Sequence, residues 1–190
     1  MPARLAERGL IVLDRDGVIN RESSEFVKSV EEWLPLAGSI DAIAALSRAG
    51  FSVAVASNQS GLARGLFDND ALSAMHEKLH ELVVAAGGRI EHIVVCPHGP
   101  DDDCDCRKPK PGLLRQLGQH FGTDLAGVPM IGDSVRDLIA ASSVGARPIL
   151  VRTGNGQDAE GRLPAVLRFV EVFDDLAAAA TALLAESLRV

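Results

Sequence analysis

With 190 residues, 47% of them hydrophobic, and a net charge of −7, the chain has the size of one large domain and the composition of a packed, not a disordered, protein. A chain of this size buries roughly 70% of the surface its unfolded form exposes and needs no staples to fold. The acidic balance argues against nucleic acid or an anionic membrane as the main partner, and with no tyrosine and a single tryptophan, Trp33, the stacking platforms of a single-strand binder are missing.

The opening stretch MPARLAERGLIVLDRDG interrupts its short apolar run at Asp14 and lacks a small-residue cleavage site, so it does not read as a signal peptide. No apolar run reaches the roughly 18 residues of a membrane span, and a soluble cytoplasmic protein is expected. Leu10–Leu13 is a continuous apolar run, the pattern of a strand buried on both faces. Ser39–Ala49 has helical spacing, with Ser39 as a predicted N-cap and Gly50 past its end. Phe51–Ala56 is the next strand. A long amphipathic helix is predicted between Asp68 and Ala86, with Leu72, Met75, Leu79, Leu82 and Val83 on one stripe, stopped by Gly87 and Gly88.

Ile90–Val95 reads as a third strand and Pro111–Phe121 as a helix closed by Gly122. Val128–Ile131, Arg136–Val144 and Pro148–Val151 follow as strand, helix and strand. Gly154–Arg162 is expected to be a surface loop, Val170–Phe173 an edge strand, and a last helix begins near Leu176. Strands alternating with helices predict a three-layer α/β fold, a Rossmann-like open parallel sheet spanning residues 1–190 as one domain. In such sheets ligands bind beyond the carboxyl ends of the strands.

The first strand is followed by Asp14, Arg15, Asp16 and Gly17. Two carboxylates two residues apart project the same way if strand geometry continues, and can hold a hard cation or divide nucleophile and acid/base roles. Alone, the run favours an ordinary acidic turn with Gly17 at positive φ. After the second strand, Ser57, Asn58, Gln59 and Ser60 offer hydroxyl and amide groups suited to an anion, or simply a polar loop. After the fourth come Asp133 and Ser134, with Asp137 a turn later; Asp133 could join Asp14 and Asp16 in an oxygen cage or cap a helix. Lys108 lies in a proline-pinned basic segment, RKPKPG, that also fits a solvated turn.

Taken together, LDRDG, Ser57, Lys108 and GDSVRD resemble, in that order, the four motifs of the haloacid dehalogenase-like phosphatase superfamily, over nearly the whole chain. Serine stands where the second motif often has threonine, which keeps the hydroxyl. The resemblance implies that Asp14 is the nucleophile and Asp16 the general acid/base. It implies Mg²⁺ held by Asp14, the backbone carbonyl of Asp16 and Asp133, with Ser57 and Lys108 cradling the phosphoryl oxygens.

All three cysteines fall in Cys96-x-His98-x₅-Cys104-x-Cys106. Three thiolates and an imidazole suit a closed, structural tetrahedral Zn²⁺ site with no open catalytic position. The odd count without a secretion signal argues against a disulfide framework. His76, His80, His92 and His120 form no second cluster in the sequence, and the acidic run Asp101–Asp103 reads as a solvated face.

Superfamily members usually gain specificity from an inserted cap domain. Here neither the segment from Asn20 to Gly38 nor the cysteine loop is long enough to fold alone, so a capless enzyme is expected. CPH followed by CDCRKPKPG is similar to two groups, the heptose bisphosphate 7-phosphatases of lipopolysaccharide-core synthesis and the histidinol-phosphate phosphatases. SNQSGLARGLF and LVRTG favour the former. That resemblance implies a small phosphorylated sugar as substrate, with Arg107 on its second phosphate and Glu22, Asn58, Gln59, Ser60 and Ser134 as further contacts; a monomer is expected, without a partner nucleic acid or membrane. A non-catalytic scaffold docking a partner through its zinc loop is the alternative of another class. Two sets of carboxylates converging on one crevice argue against it.

Overall fold

In the computed structural model, which describes residues 9–188, the sheet is organised around β1, Leu10–Leu13. All four of its residues are buried because strands flank it on both edges and helices cover both faces. The flanking strands are β2, Ser52–Asn58, and β4, Pro129–Gly132. With β3 (His92–Cys96), β5 (Arg147–Val151) and β6 (Glu171–Phe173), the order is β3-β2-β1-β4-β5-β6 and every pairing is parallel. This is the doubly wound order, with its reversal at β1 and β4, where a crevice opens at the strand ends.

Alternation along the strands divides the core. Ile11, Leu13, Val53 and Val55 join one cluster, against α1 (Ser39–Arg48), α2 (Asn69–Ala85) and α6 (Leu176–Ser187). Leu10, Val12, Ala54 and Ala56 join the other, against α3 (Gly112–Phe121) and α4 (Val135–Ser142). Of the predicted stripe, Leu72, Met75, Leu79 and Val83 form the buried face of α2 while Leu82 packs only partly buried beside them, and Asp68 caps the helix by accepting from the Ala71 amide.

Three local expectations are corrected. Gly38, with φ of 75°, is the N-cap of α1, whereas Ser39 is its buried first residue and donates to the Ile19 and Leu36 carbonyls. The demand for a left-handed turn there outweighed the side-chain capping rule. The stretch from Gly154 to Arg162 is not merely a surface loop: Gly156–Glu160 forms a short helix, α5, with Gly156 and Ala159 buried. The cap of α4 is Ser134, not Asp133. The part of the opening stretch preceding Gly9, read above for a leader, lies outside the described residues.

The connection from β1 to α1 carries no inserted domain. It is pinned by Trp33, which is wholly buried, and by Lys78 of α2, whose ammonium donates to the Val30 and Trp33 carbonyls and lies 5.7 Å from the Trp33 ring centre. No helix among the described residues is long and apolar enough to cross a membrane.

Candidate active site

The strand ends gather these groups at the crevice. Asp14 follows β1, Asp133 follows β4, and Lys108 enters from the loop between β3 and α3, and all three line the crevice; Ser57, near the end of β2, is 1% exposed and lies behind that lining, its Oγ accepting from Gln59 Nε2. Lys108 is 2% exposed, and its ammonium lies 2.9 Å from Asp14 Oδ1, 2.7 Å from Asp137 Oδ1 and 2.8 Å from the Ala56 carbonyl it donates to. Its backbone is held as firmly: the Lys108 amide donates to Asn58 Oδ1, and Asn58 Nδ2 donates to the Lys108 carbonyl, both at 3.1 Å.

Asp14, Asp133 and Asp137 present oxygens within 4.8 Å of one another. Three buried carboxylates facing one lysine leave an excess of negative charge. Burial, with Asp137 and Asp133 beside it and Lys108 opposing, pushes Asp14 well above the usual carboxylate range. Burial, then Asp137, raises Asp133 to about 7, against the donors of Asn155. Lys108 is held above its ordinary value by Asp137 and Asp14, against the cost of burial. Hard oxygen donors with an unbalanced charge suit a divalent cation such as Mg²⁺. Asp137 spends both oxygens on protein, Oδ1 on Lys108 and Oδ2 on the Ser134 amide and hydroxyl. Asp133 Oδ2 accepts from the Asn155 amide at 2.8 Å and from Asn155 Nδ2 at 3.1 Å.

Two glycines make room for Asp133. Gly17, with φ of 82°, and Gly154, with φ of 57°, press so closely on its carboxylate that a Cβ at either would collide with it. Thr153 closes the same corner by donating to the Gly17 carbonyl at 2.6 Å.

Asp16 is placed differently. Its carboxylate turns to Arg15 at 3.0 Å, Asn20 Nδ2 at 2.8 Å and Gln59 Nε2 at 2.7 Å, not into the cluster of three acids. Burial would raise its pKa, but Arg15 and the donated hydrogen bonds outweigh that and lower it. The side chain of Asp16 is therefore set apart from the other two carboxylates expected to hold Mg²⁺.

These groups form the floor of a cavity of about 310 Å³. Of the residues expected to touch substrate, Glu22, Asn58, Gln59, Ser60, Arg107 and Ser134 all line it. The amides of Asn58 and Gln59, however, are engaged with protein, and Ser134 is the capping partner of Asp137. Glu22 lies at the rim, its Oε2 accepting from Asn155 Nδ2 at 3.3 Å. Burial and Asp16 raise its pKa. Arg107 donates to the His98 carbonyl at 3.2 Å.

The sequence reading missed Arg64, Arg136 and Phe26, which also line the cavity, and Asn155 behind Asp133. Arg64 lies 5.6 Å over the Phe26 ring. Phe26 itself has φ of 64°, unusual for a bulky residue. Local spacing carries no signal for these residues, since separate loops bring them together.

Beside the cavity, Cys96 Sγ lies 3.0 Å from Cys106 Sγ, 3.8 Å from Cys104 Sγ and 3.6 Å from His98 Nδ1, which is 3.2 Å from Cys106 Sγ. A tetrahedral Zn²⁺ with bonds near about 2.0–2.3 Å requires donors at separations of this order. Burial and the Cys106 contact push Cys96 up to about 12, so its thiolate form needs a cation. The cluster is compatible with a zinc-binding loop.

Known proteins place this geometry. The family model for polynucleotide kinase 3 phosphatase matches residues 10–137 and a HAD-hydrolase-like model matches residues 105–179. The chain is 56% identical over 178 residues to D-glycero-beta-D-manno-heptose-1,7-bisphosphate 7-phosphatase of Pseudomonas aeruginosa, covering 93% of this chain and 98% of that one. The D,D-heptose 1,7-bisphosphate phosphatase of Bordetella bronchiseptica, solved with magnesium and phosphate, superposes with a TM-score of 0.90 at 52% identity, over 93% of this chain and 98% of that one. The Burkholderia thailandensis structure gives 0.73 at 42%, over 93% and 99%. A parallel sheet with buried acids and a lysine at its strand ends, matched at this identity over almost its full length, belongs to the haloacid dehalogenase-like phosphatases, in the heptose-1,7-bisphosphate 7-phosphatase family.

Proposed function

We propose that this enzyme removes the C7 phosphate of D-glycero-D-manno-heptose 1,7-bisphosphate, a step of lipopolysaccharide-core heptose synthesis, as a cytoplasmic monomer folded as one domain. The observation that carries the reading is the cavity itself: Asp14 and Lys108 at the floor for one phosphate, and Arg64, Arg107 and Arg136 around its walls for another anion. The names of the relatives agree with it.

In this mechanism an Asp14 oxygen attacks phosphorus and the bond to the sugar oxygen breaks, giving an aspartyl-phosphate and dividing one displacement into two. Asp16 gives its proton to the departing oxygen and takes one back from the water that cleaves the intermediate. Arg15, Asn20 and Gln59 favour the Asp16 carboxylate, the form that takes the proton from water in the second step, and work against the protonated form that the first step needs. The Ser57 hydroxyl and the Lys108 ammonium bind the phosphoryl oxygens as charge moves onto them.

Asp14 and Asp133, with the Asp16 carbonyl, would hold Mg²⁺, and Asp137 serves as the anchor of Lys108. Bound there, Mg²⁺ lessens the repulsion between the anionic nucleophile and the anionic phosphoryl group. Cys96, His98, Cys104 and Cys106 would hold a structural Zn²⁺, fixing the chain just before Arg107 and Lys108. The test compares kcat/KM for heptose 1,7-bisphosphate, histidinol phosphate and other phosphorylated sugars, with and without Mg²⁺. A clear preference for the heptose supports the reading, and a preference for histidinol phosphate replaces it. An inert pure protein would favour a scaffold.

A further inference from the structure

We propose that Gln59 is a positioning residue that fixes the direction in which the Ser57 hydroxyl donates and holds Asp16 beside it, rather than a contact for the sugar. This deepens the reading above and rests on it.

Gln59 lines the cavity but is only 4% exposed, and its amide is fully engaged. Nε2 donates to Asp16 Oδ2 and to Ser57 Oγ, both at 2.7 Å, and Oε1 accepts from Arg15 Nη2 at 3.1 Å. The orientation is dictated by its neighbours. A guanidinium only donates and a carboxylate only accepts, so turning the amide over would set donor against donor at Arg15 and acceptor against acceptor at Asp16. Nε2 therefore faces Ser57 Oγ, which must accept from it. The hydroxyl hydrogen of Ser57 is left free to donate elsewhere, which is the role the proposed mechanism gives it toward a phosphoryl oxygen.

Arg15 enforces this arrangement. It is 1% exposed, grips Asp16 through Nε and Nη2, and its Nη1 lies 3.4 Å from His76 Nε2 on α2. The guanidinium is thus fixed on three sides, and the ordered side chain runs from α2 through Arg15 and Gln59 to Ser57.

The experiment measures kcat and KM for Gln59→Met, which fills the same space without hydrogen bonding, on heptose 1,7-bisphosphate and on phenyl phosphate. The expected result is a fall in kcat of about 10- to 100-fold for both substrates with KM within about twofold of wild type, since a transition-state contact is disturbed and no sugar contact is lost. In a Ser57→Ala background the same substitution should cost less than it does alone, because part of its effect runs through the missing hydroxyl. A raised KM confined to the sugar with kcat kept, or losses in the double variant that simply multiply, overturns the proposal. Should Gln59→Met fail to fold, Gln59→Asn, which keeps the amide but cannot span both partners, must show the same kcat loss at constant KM. Wild-type enzyme inert toward both phosphates would instead overturn the functional reading.

Discussion

Lys108 and Asp137 form an ion pair of 2.7 Å in which the side chains are only 2% and 1% exposed. A buried charge that loses its partner is costly, typically about 3–5 kcal/mol. Asp137→Ala is therefore expected to lower stability by that order and kcat by more than tenfold, because Lys108 then keeps Asp14 as its one carboxylate partner beside the Ala56 carbonyl. Urea unfolding and steady-state kinetics check this. A variant as stable as wild type would show that Asp14 suffices to compensate the lysine.

Asp14→Asn is expected to abolish turnover without loss of stability. Crowding by burial, Asp137 and Asp133 already disfavours the Asp14 charge, so a neutral amide relieves as much as it removes. Asp16→Ala should also cripple turnover. Near-normal activity in a mass-verified Asp14→Asn protein would dismiss Asp14 as nucleophile.

Arg107→Ala should reduce kcat/KM for the bisphosphate about ten- to a hundred-fold, the usual cost of a charge-assisted contact, and hardly affect phenyl phosphate. Lys108→Ala should impair both substrates. Equal losses for the two substrates in Arg107→Ala would move that residue to the phosphoryl centre or the fold.

About one zinc per chain is expected in protein purified without chelator, and none in Cys104→Ala. Mild EDTA should stop turnover and Mg²⁺ alone restore it, since a carboxylate site exchanges its ion far more readily than three thiolates and an imidazole. Elemental analysis showing no zinc in the unmodified protein would eliminate the four-ligand assignment.

His76 gives a pH dependence of stability. Burial, and Arg15 next to it, lower its pKa to about 4 from an ordinary 6.5. Between these values the unfolded chain takes up a proton that the folded chain refuses, so stability falls as pH drops from about 6.5 toward 4. His76→Gln keeps an acceptor for Arg15 and removes the proton uptake. The loss of stability between pH 7 and pH 5 should shrink by about 2 kcal/mol, as read by urea unfolding at each pH. An unchanged loss would show that His76 is protonated equally in both states.

Of the groups proposed to act on the phosphate, Asp14, Ser57 and Asp133 stood out in the sequence because each sits in or next to a strand that an apolar run announces: Asp14 after LIVL, Ser57 within SVAVASN, Asp133 after MIG. The cysteine cluster was legible because it is local. What could not be read was created by pairing distant strands. β5 lies beside β4, and that pairing carries Gly154 and Asn155 onto Asp133. Asp137 offered a clue in its spacing from Asp133, but its partnership with Lys108 exists only once two strand ends meet. Likewise Asn58 and Gln59, polar and at a strand end, suggested substrate contacts, and only their neighbours reveal that their amides are spent inside the protein. The stacking of His92 on His120, with ring centres 3.9 Å apart, also joins residues far apart in the chain.

Trp33 bears on how this scaffold could be altered. It is sunk in the core, and the thiol–imidazole cluster forms a second fixed point, so both wall-forming segments are anchored independently of the strand ends that carry the reacting groups. Phe26, Val27 and Pro100 on the cavity wall belong to stretches that leave and re-enter such anchors. Substitutions between the anchors can reshape the wall while the phosphoryl-binding floor keeps its register. The molecule is thus modular on the scale of a single loop: exchanging the Arg21–Glu32 or Gly99–Asp103 stretch with that of a relative, which leaves Trp33 and the Cys96, His98, Cys104 and Cys106 cluster in place, should transfer a preference among phosphate esters without rebuilding the proposed chemistry beneath.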